Sequence, residues 1–225
     1  MLLAYNEALL HLANQIALNE PDMKRVSERL KVHPKLEQVI NDDEALFSLF
    51  SEVHLRVVLE DICAENRLNG MVKFDPILDG THTKNYFFRT CQGSLEALKK
   101  KTWDVNSEYD SLLTVDGLPS IFEVKLSQAS LGYSRIKKVF SEEYIKRITD
   151  PIREYFGRDC SLVLVTYGKF IKPAIHPEQI EFWKNWGVIV PVNLGYHSFK
   201  GRYNLPLCEW EKREVVSKTK QELGT

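Results

Sequence analysis

The sequence predicts an α/β fold in which a mixed central β-sheet has helices on both faces. Apolar residues recur at helical spacing up to about Gly70, and from Met71 onward their period changes to two. A second helical segment then precedes "CSLVLVTY", a short unbroken apolar run that is typical of a buried central strand. The order helix, strands, helix, strand is that of a sheet between helical layers.

Length and composition indicate a globular protein with a full core. The chain has 225 residues, of which 44% are hydrophobic and 27% are charged, and its formal net charge is -1. We divide it into a helical N-terminal extension (residues 1–43), a core (44–194) and a C-terminal segment (195–225). The last segment is expected to pack on the core and to end in a charged tail that frays. The net charge leaves room for a local basic face that binds nucleic acid.

The sequence favours a cytoplasmic protein over a secreted or membrane protein. "MLLAYNEALL" lacks the basic n-region of a signal peptide, and no apolar run reaches the roughly 20 residues that a membrane span needs. The cysteines are far apart in apolar settings, which predicts reduced core thiols. They are Cys63, Cys91, Cys160 and Cys208. The sequence has no G-x-S-x-G, P-loop or G-x-G-x-x-G motif, so those enzyme classes have no support.

The helical elements have recognisable ends. Residues 1–43 are predicted to be helical in pieces that pack on the core. A long helix should begin after Asp42 or Asp43 as the N-cap and end at Gly70. Its apolar residues form two stripes, which predicts a helix sandwiched between layers. The second helix, "SEEYIKRITDPIREYF", should be interrupted or kinked at Pro151, and "HPEQIEFWKNW" is a shorter helix.

The strands are predicted from the period of two. "MVKFDPIL" and "KNYFFRT" are candidate strands, and "SLEALKKK" is a short helix or turn. "EYDSLLTVDGLPSIFEVK" is predicted to be a hairpin that turns at Asp116-Gly117. "GVIVPVNL" is the last strand, and Pro191 places it near an edge of the sheet.

The predicted hairpin carries charges where a central strand pair should be apolar. In its second strand, Glu123 and Lys125 share one face because strand side chains alternate. A two-residue turn would place Asp110 opposite Glu123, and a four-residue loop would place it opposite Lys125. Directly opposed residues point the same way, so either register puts Asp110 on the face of Glu123 and Lys125.

This set of charges suggests a site that hydrolyses phosphodiester bonds. Two carboxylates about 5 Å apart in the pleat repel each other unless a positive charge lies between them. An oxygen-preferring cation such as Mg²⁺ fits, and it keeps positions for water and phosphate oxygens. Lys125 could then position a water and stabilise charge on the phosphate. Alternatively, Glu123 and Lys125 are simply neighbours on a solvated strand face.

At these residues the sequence resembles the PD-(D/E)XK nuclease superfamily, which includes restriction endonucleases and archaeal Holliday-junction resolvases. The resemblance covers roughly residues 44–194 and rests on Tyr109-Asp110 and "FEVK". It implies a restriction-endonuclease-like core of helix, three strands, helix and strand, with Asp110 in the second core strand and the acid-x-Lys motif in the third. By resemblance, Asp110, Glu123 and the Val124 carbonyl would hold Mg²⁺, for which Mn²⁺ could substitute, and Lys125 would be the catalytic lysine.

The family also implies a glutamate on the preceding helix. Glu52 in "SEVHLRVVLED" best matches the resolvase pattern, and Glu60 is the alternative because it lies in line with Val53 and Val57. Glu108 is a further candidate ligand, although its position near a strand start favours solvation. The Q-x-x-x-Y element of RecB-like members is absent, since Gln128 and Tyr133 are five residues apart.

A nucleic-acid interface is predicted downstream of the motif. Basic and aromatic residues cluster in "YSRIKKVF" and "YIKRI" and could neutralise a phosphate backbone. The candidates are Arg135, Lys137, Lys138, Lys146 and Arg147. The alternative is a solvated helix face on which these residues mix with Glu142 and Glu143.

The sequence therefore predicts a Mg²⁺-dependent endonuclease that cuts nucleic acid, with DNA favoured because most family members cut DNA. Glu52, Asp110, Glu123 and Lys125 would form its catalytic set. A DNA-directed enzyme would be associated with the nucleoid, and family members often act as homodimers. The competing hypotheses are a catalytically inactive nucleic-acid- or protein-binding module that retains the fold, and an interaction domain with a chance motif.

Overall fold

The computed structural model describes residues 6–19, 21–65, 72–74, 78–126, 141–167, 188–192 and 209–225. The helices are α1 (Glu7–Leu18), α2 (Met23–Lys31), α3 (Leu36–Val39), α4 (Asp43–Ala64), α5 (Glu142–Phe156) and α6 (Glu209–Leu223). The strands are β1 (Val72–Phe74), β2 (Tyr86–Cys91), β3 (Ser94–Lys99), β4 (Val105–Tyr109), β5 (Ser111–Val115), β6 (Leu118–Leu126), β7 (Ser161–Tyr167) and β8 (Val188–Val192).

The strands form two sheets. The larger has the order β1-β5-β6-β7-β8, and the smaller has the order β2-β3-β4. In the larger sheet β1, β5 and β6 are antiparallel neighbours, whereas β6, β7 and β8 run parallel. The chain leaves the smaller sheet at Tyr109 and enters the larger one at Ser111. Asp110 is therefore the single residue between the two sheets.

Helices cover both faces of the larger sheet, as the sequence predicted. On one face, Phe122 and Val124 of β6 belong to a core cluster with α1, α2 and α4. On the other face, Ile121 of β6 belongs to a second cluster with Ile145 and Ile148 of α5. The residues of β6 thus alternate between two cores, which is the period of a strand that is buried on both sides.

Helix α4 has the predicted start. Asp42 is its N-cap, and its side chain accepts hydrogen bonds from the backbone N–H groups of Glu44 and Ala45 at 3.0 Å each. Residues are buried around most of the helix circumference, because the sheet covers one side and α1, α2, α3 and α6 pack against α4 elsewhere. The helix ends at Ala64, and the predicted end at Gly70 lies outside the described residues.

The β5–β6 hairpin has the two-residue turn. Asp116 and Gly117 have φ values of 47° and 78°, the left-handed conformations that a type I' turn requires. The register pairs Val115 with Leu118 and Ser111 with Phe122. The pair Val115–Leu118 excludes the four-residue loop. The register ends at Ser111, so the predicted pairing of Asp110 with Glu123 is not formed.

Helix α5 is continuous through Pro151. A proline inside a helix leaves the carbonyl four residues earlier without its usual donor. Here that carbonyl, of Arg147, accepts a hydrogen bond from the Asn106 side chain at 2.7 Å. The next carbonyl, of Ile148, accepts one from the Tyr109 hydroxyl at 3.0 Å. Strand β4 therefore supplies the one donor that Pro151 removes and adds a second contact at Ile148, and it fixes α5 against the smaller sheet.

Two predictions about local structure were wrong. "SLEALKKK" was expected to be a short helix or turn, but Ser94–Lys99 is β3, the central strand of the smaller sheet. Pairing with β2 and β4 on its two sides outweighs the helical propensity of Leu, Glu, Ala and Lys. The chain after Glu209 was expected to fray but forms α6, in which Val216 and Thr219 are buried and Lys220 pairs with Asp43 of α4.

The remaining sequence predictions divide between the described residues and the rest of the chain. β7 is the buried parallel strand that was expected, and β8 with Pro191 ends the described sheet. "HPEQIEFWKNW" and three of the basic candidates, Arg135, Lys137 and Lys138, lie outside the described residues. No helix in the described part of the chain combines the length and the apolar character needed to cross a membrane.

Candidate functional site

Asp110 occupies a break in the hydrogen-bond ladder of the larger sheet. In the hairpin register, Val124 would next pair with Tyr109, but Tyr109 already belongs to β4. Instead, the Val124 backbone N–H donates to Asp110 Oδ2 at 2.7 Å. The carboxylate thus takes the position of a strand acceptor, and its orientation is fixed by the backbone of β6.

The same geometry bears on the predicted carbonyl ligand. Within a strand, the N–H and C=O of one residue point to the same neighbouring strand. Since the Val124 N–H points to Asp110, the Val124 carbonyl is directed to that edge of β6 as well. A carboxylate and a backbone carbonyl are therefore available on one side of the strand, where β5 has ended.

Asp110 shares a cleft with Glu52. The cleft has a volume of about 190 Å³ and lies between α4, the segment that follows α2, and the β2–β3 turn. Its lining residues are Arg29, Val32, His33, Pro34, Glu52, Val53, Arg56, Val57, Glu60, Gly93, Ser94 and Asp110. Three acids named from the sequence thus line one cavity: Glu52 and Glu60 on the long helix, and Asp110 at the sheet break.

The other helix glutamate is held by arginines. Glu60 Oε2 accepts from Arg25 at 2.8 Å and from Arg29 at 2.9 Å, and Arg25 also pairs with Asp61. These contacts join α2 to α4. Both glutamates line the cleft with Asp110. The charges of Glu52 and Asp110 both act on Lys35, which places Glu52 near Asp110.

Glu123 lies on the opposite face of the sheet from α4. Its neighbours Phe122 and Val124 point to the α4 core, so Glu123 points to α5. There its Oε2 accepts a hydrogen bond from the Tyr144 hydroxyl at 3.0 Å, and the residue is only 4% exposed. Glu123 does not line the cleft. No motif in the sequence marks Tyr144 as a partner of Glu123.

The described part of the chain does not assemble three acidic, histidine or cysteine side chains into one metal-binding group. Glu52 and Asp110 face the cleft, whereas the carboxylate of Glu123 is bound by Tyr144 on the other side of β6. The backbone of Lys125 lies in β6, in register with Thr166 of β7, but its side chain is outside the described residues.

Basic residues that were not predicted from the sequence lie near Glu52 and Asp110. Lys35 Nζ binds Glu108 Oε1 at 2.5 Å and Ser94 Oγ at 3.0 Å. Burial alone would lower the pKa of Lys35, but its hydrogen bond to Glu108 and the nearby charges of Glu108, Glu52 and Asp110 raise it above its ordinary value. Glu108, named above as a further candidate ligand, is therefore an ion-pair partner of Lys35.

A neutral histidine, His33, and the cation Arg56 also line the cleft. The His33 Nδ1 accepts from the Lys35 backbone N–H at 3.2 Å, which assigns the ring proton to Nε2. Burial lowers the pKa of His33, and the positive charges of Lys35 and Arg56 lower it further. Arg56 donates a hydrogen bond to the Gly93 carbonyl at 3.3 Å, and its side chain is exposed. The cleft thus has carboxylates on one part of its wall and basic groups on another.

The two described members of the predicted nucleic-acid interface have local partners. Lys146 pairs with Glu142 one turn earlier in α5 at 2.8 Å, and the Arg147 guanidinium lies 4.9 Å from the centre of the Tyr144 ring. The exposed ion pair of Lys146 with Glu142 agrees with the alternative that this helix face is solvated. The second contact places a cation beside the tyrosine that binds Glu123.

Comparisons with known proteins add little to this geometry. No protein-family model matches the sequence, and no curated protein matches it. Among solved structures, the chain is similar to "Crystal structure of protein VC1899 from Vibrio cholerae", with 10% sequence identity and a TM-score of 0.26. The match covers 98% of this chain and 59% of the other, so this chain spans less than two thirds of that protein's length. A likeness at this score carries no argument about function.

Proposed function

We propose that the protein is a Mg²⁺-dependent endonuclease of the PD-(D/E)XK type that hydrolyses phosphodiester bonds of nucleic acid, with DNA as the favoured substrate. The observation that carries the proposal is the position of Asp110. Its carboxylate is anchored on the Val124 backbone at the break in the ladder, beside the Val124 carbonyl edge, and lines one cleft with Glu52.

The order and pairing of the elements support a restriction-endonuclease-like core. Helix α4 is followed by three strands that pair antiparallel, β1, β5 and β6, and then by α5 and the parallel strand β7. The smaller sheet is inserted between the first and second of these strands. With that assignment Asp110 precedes the second core strand, and Glu123-Val124-Lys125 lies in the third.

The proposed ligands have the chemistry of a magnesium site, although the described residues do not bring three acidic, histidine or cysteine side chains together. Mg²⁺ prefers carboxylate and carbonyl oxygens and retains water ligands. Asp110, the Val124 carbonyl and Glu123 would hold it. Tyr144 binds one oxygen of Glu123, and a carboxylate has about four acceptor positions, so that contact is compatible with a second partner. When bound, the cation supplies positive charge that favours deprotonation of water and neutralises phosphate.

The chain's own residues would divide the remaining work. Asp110 is fixed by a backbone hydrogen bond, so it holds its ligand position without reorganisation. Glu52 would accept a proton from, or orient, the water that attacks phosphorus. Lys125 would place a positive charge near the attacking water and the phosphate. Arg56, which lines the cleft, and Lys35, which interacts with the charges of Glu52 and Asp110, suit the non-bridging oxygens of a phosphate backbone.

A cleavage assay with matched variants tests the proposal. Linear, circular, single-stranded and branched DNA are incubated with the protein and Mg²⁺, Mn²⁺ or EDTA. Asp110→Asn keeps an acceptor for Val124 but loses the charge, and Lys125→Ala removes the proposed lysine. Asp159→Asn is the control, since Asp159 is exposed and lies between α5 and β7, outside the proposed site.

We expect metal-dependent cutting by the wild type and by Asp159→Asn, with 5'-phosphate and 3'-hydroxyl products, and none by Asp110→Asn or Lys125→Ala. Cutting that survives in EDTA or in Lys125→Ala would refute the mechanism. The same assay with RNA determines which nucleic acid is the substrate.

The second candidate function is a nucleic-acid-binding or protein-binding module that keeps the nuclease fold without cutting. The observation that favours it is the contact between Glu123 and Tyr144, which holds one proposed ligand on the α5 side of β6. This candidate predicts DNA or protein binding that is unchanged by EDTA and by Asp110→Asn, with no cleavage of any substrate.

A further inference from the structure

A strained, exposed tryptophan lies in the turn between β3 and β4. Trp103 is 62% exposed and has a φ of 61°, in the left-handed region. For a bulky side chain this conformation is an outlier, and Gly or Asn would adopt it at lower cost. Neither burial nor backbone preference therefore explains a tryptophan at this position.

The backbone of this turn is held by specific hydrogen bonds. Trp103 N–H donates to the Lys99 carbonyl at 2.7 Å, and Lys99 N–H donates to the Asp104 carbonyl at 3.0 Å. Lys100 N–H donates to the Asn85 carbonyl at 2.9 Å. The Glu154 carboxylate of α5 accepts from both the backbone and the side chain of Asn85. These hydrogen bonds hold the turn that carries Trp103 against Asn85 and α5.

The tryptophan ring has a second aromatic ring beside it. The centres of the Trp103 and Phe87 rings are 5.8 Å apart in an edge-to-face arrangement, which is a favourable geometry for aromatic pairs. This contact fixes the position of the indole while leaving most of the residue accessible to a ligand.

Four lysines lie in this turn or next to the residue that it binds. Lys99, Lys100 and Lys101 precede it in the turn, and Lys84 precedes the Asn85 to which the turn is bonded. Asp104 is the acid of the same turn. Within the described part of the chain, none of the four lysines forms an ion pair. We call Phe87, Trp103 and these four lysines the Trp103 platform.

We infer that the Trp103 platform binds unpaired nucleic acid, with a base stacked on the indole and the lysines on the phosphate backbone. Exposed aromatic rings interleaved with cations are the means by which proteins bind single strands without sequence preference. The bases of a duplex are stacked on each other, so a stacking platform favours unpaired segments. The inference deepens the proposed function by naming the substrate class, and in the choice of nucleic acid it rests on that function.

The smaller sheet connects this platform to the cleft. Strand β3 begins at Ser94, which lines the cleft, and ends at Lys99 in the turn. Six residues of strand span roughly 17–20 Å. A single strand lying along the sheet could therefore contact the platform and the acids at the same time.

The test measures binding of a fluorescently labelled mixed-sequence DNA strand to the full chain in EDTA, where metal-dependent cutting does not occur. Trp103→Gly removes the ring and suits the backbone, so the variant should remain folded. We expect its Kd to rise about fivefold to a hundredfold, and Trp103→Phe to recover most of the affinity. Replacing Lys99, Lys100 and Lys101 by Gln should reduce the slope of log K against log salt by about 2.

Equal affinity of the wild type and Trp103→Gly for the single strand would overturn the inference, as would the absence of single-strand binding by the wild type. These outcomes are distinct from failure of the nuclease proposal. Binding that depends on Trp103 without any cutting would support the platform and remove the nuclease. Cutting by the wild type, together with unaltered single-strand binding by Trp103→Gly, would support the nuclease and remove the platform.

Discussion

The Asp110 carboxylate accepts a hydrogen bond from the Val124 backbone N–H at 2.7 Å, in the position that a strand carbonyl would otherwise take. This contact ties the residue between the two sheets to the strand that carries Glu123 and Lys125. It gives Asp110 a structural role in addition to the proposed role as a metal ligand. Substitutions can separate the two roles. The structural role needs only a hydrogen-bond acceptor, whereas metal binding needs a negative charge.

Asp110→Asn and Asp110→Ala should differ in stability but not in activity. Asparagine can still accept from Val124, so we expect its free energy of unfolding to stay close to that of the wild type. Alanine leaves the buried N–H without an acceptor, which costs about 1–3 kcal/mol. Urea unfolding measures this difference, and both variants should lose cleavage. Equal destabilisation by Asn and Ala would contradict the proposed hydrogen bond.

Tyr144→Phe should weaken binding of Mg²⁺. The Tyr144 hydroxyl orients Glu123 through Oε2 at 3.0 Å, and outer-shell partners of ligating groups typically affect metal affinity by about 10–100-fold. We therefore expect a higher Mg²⁺ concentration for half-maximal cleavage, with little change in the maximal rate. The measurement is a Mg²⁺ titration of the cleavage rate.

Tyr155→Phe is the matched control for that titration. Tyr155 lies on the same helix, and its ring packs edge-to-face against Phe88 and Phe156. A tighter apparent Mg²⁺ affinity in Tyr144→Phe would contradict the prediction and would mean that the tyrosine competes with the metal for Glu123.

Local signals in the sequence predicted much of the fold. The Asp116-Gly117 turn needs two positive φ values, the start of α4 needs a side-chain acceptor at Asp42, and β7 is an unbroken apolar run. Each depends on neighbouring residues only. Strand β3 was missed because its sequence has helical propensity, and its state is decided by pairing with β2 and β4.

The residues of the candidate site were predictable only where a motif marked them. Asp110 and Glu52 share a cleft, as a shared site requires. Lys35 and Tyr144 carry no motif, and their partners, Glu108 and Glu123, are 73 and 21 residues distant in sequence. Such contacts arise from how the N-terminal helices and α5 pack on the sheets, which a single sequence does not contain as a local pattern.

Asn106 and Pro151 should be energetically coupled. Asn106→Ala leaves the Arg147 carbonyl without a donor, since Pro151 has no N–H, and should cost about 1–2 kcal/mol. In a Pro151→Ala background the helix supplies its own N–H, so the same substitution should cost less. A double-mutant cycle measured by urea unfolding should give a coupling energy of about 0.5–1 kcal/mol. Strict additivity would show that the side-chain contact does not compensate for the proline.

His54 should make stability depend on pH. The ring is 3% exposed, its Nδ1 lies 2.9 Å from the Tyr167 hydroxyl, and burial lowers the pKa of His54 to about 3. The unfolded chain binds a proton near pH 6.5, whereas the folded chain does not until about pH 3. Stability from this group is therefore fully present above pH 6.5 and is lost as the pH falls toward 3, by at most about 1.4 kcal/mol per unit.

Replacing His54 isolates this contribution. Glutamine retains hydrogen-bonding groups but does not titrate, so the free energy of unfolding of His54→Gln should fall less steeply between pH 6 and about 4 than that of the wild type. Urea unfolding across this range provides the slopes, and His82→Gln, at an exposed position, is the control. Identical slopes for the wild type and His54→Gln would contradict the prediction, since they would mean that His54 binds its proton at the same pH in the folded and unfolded chain.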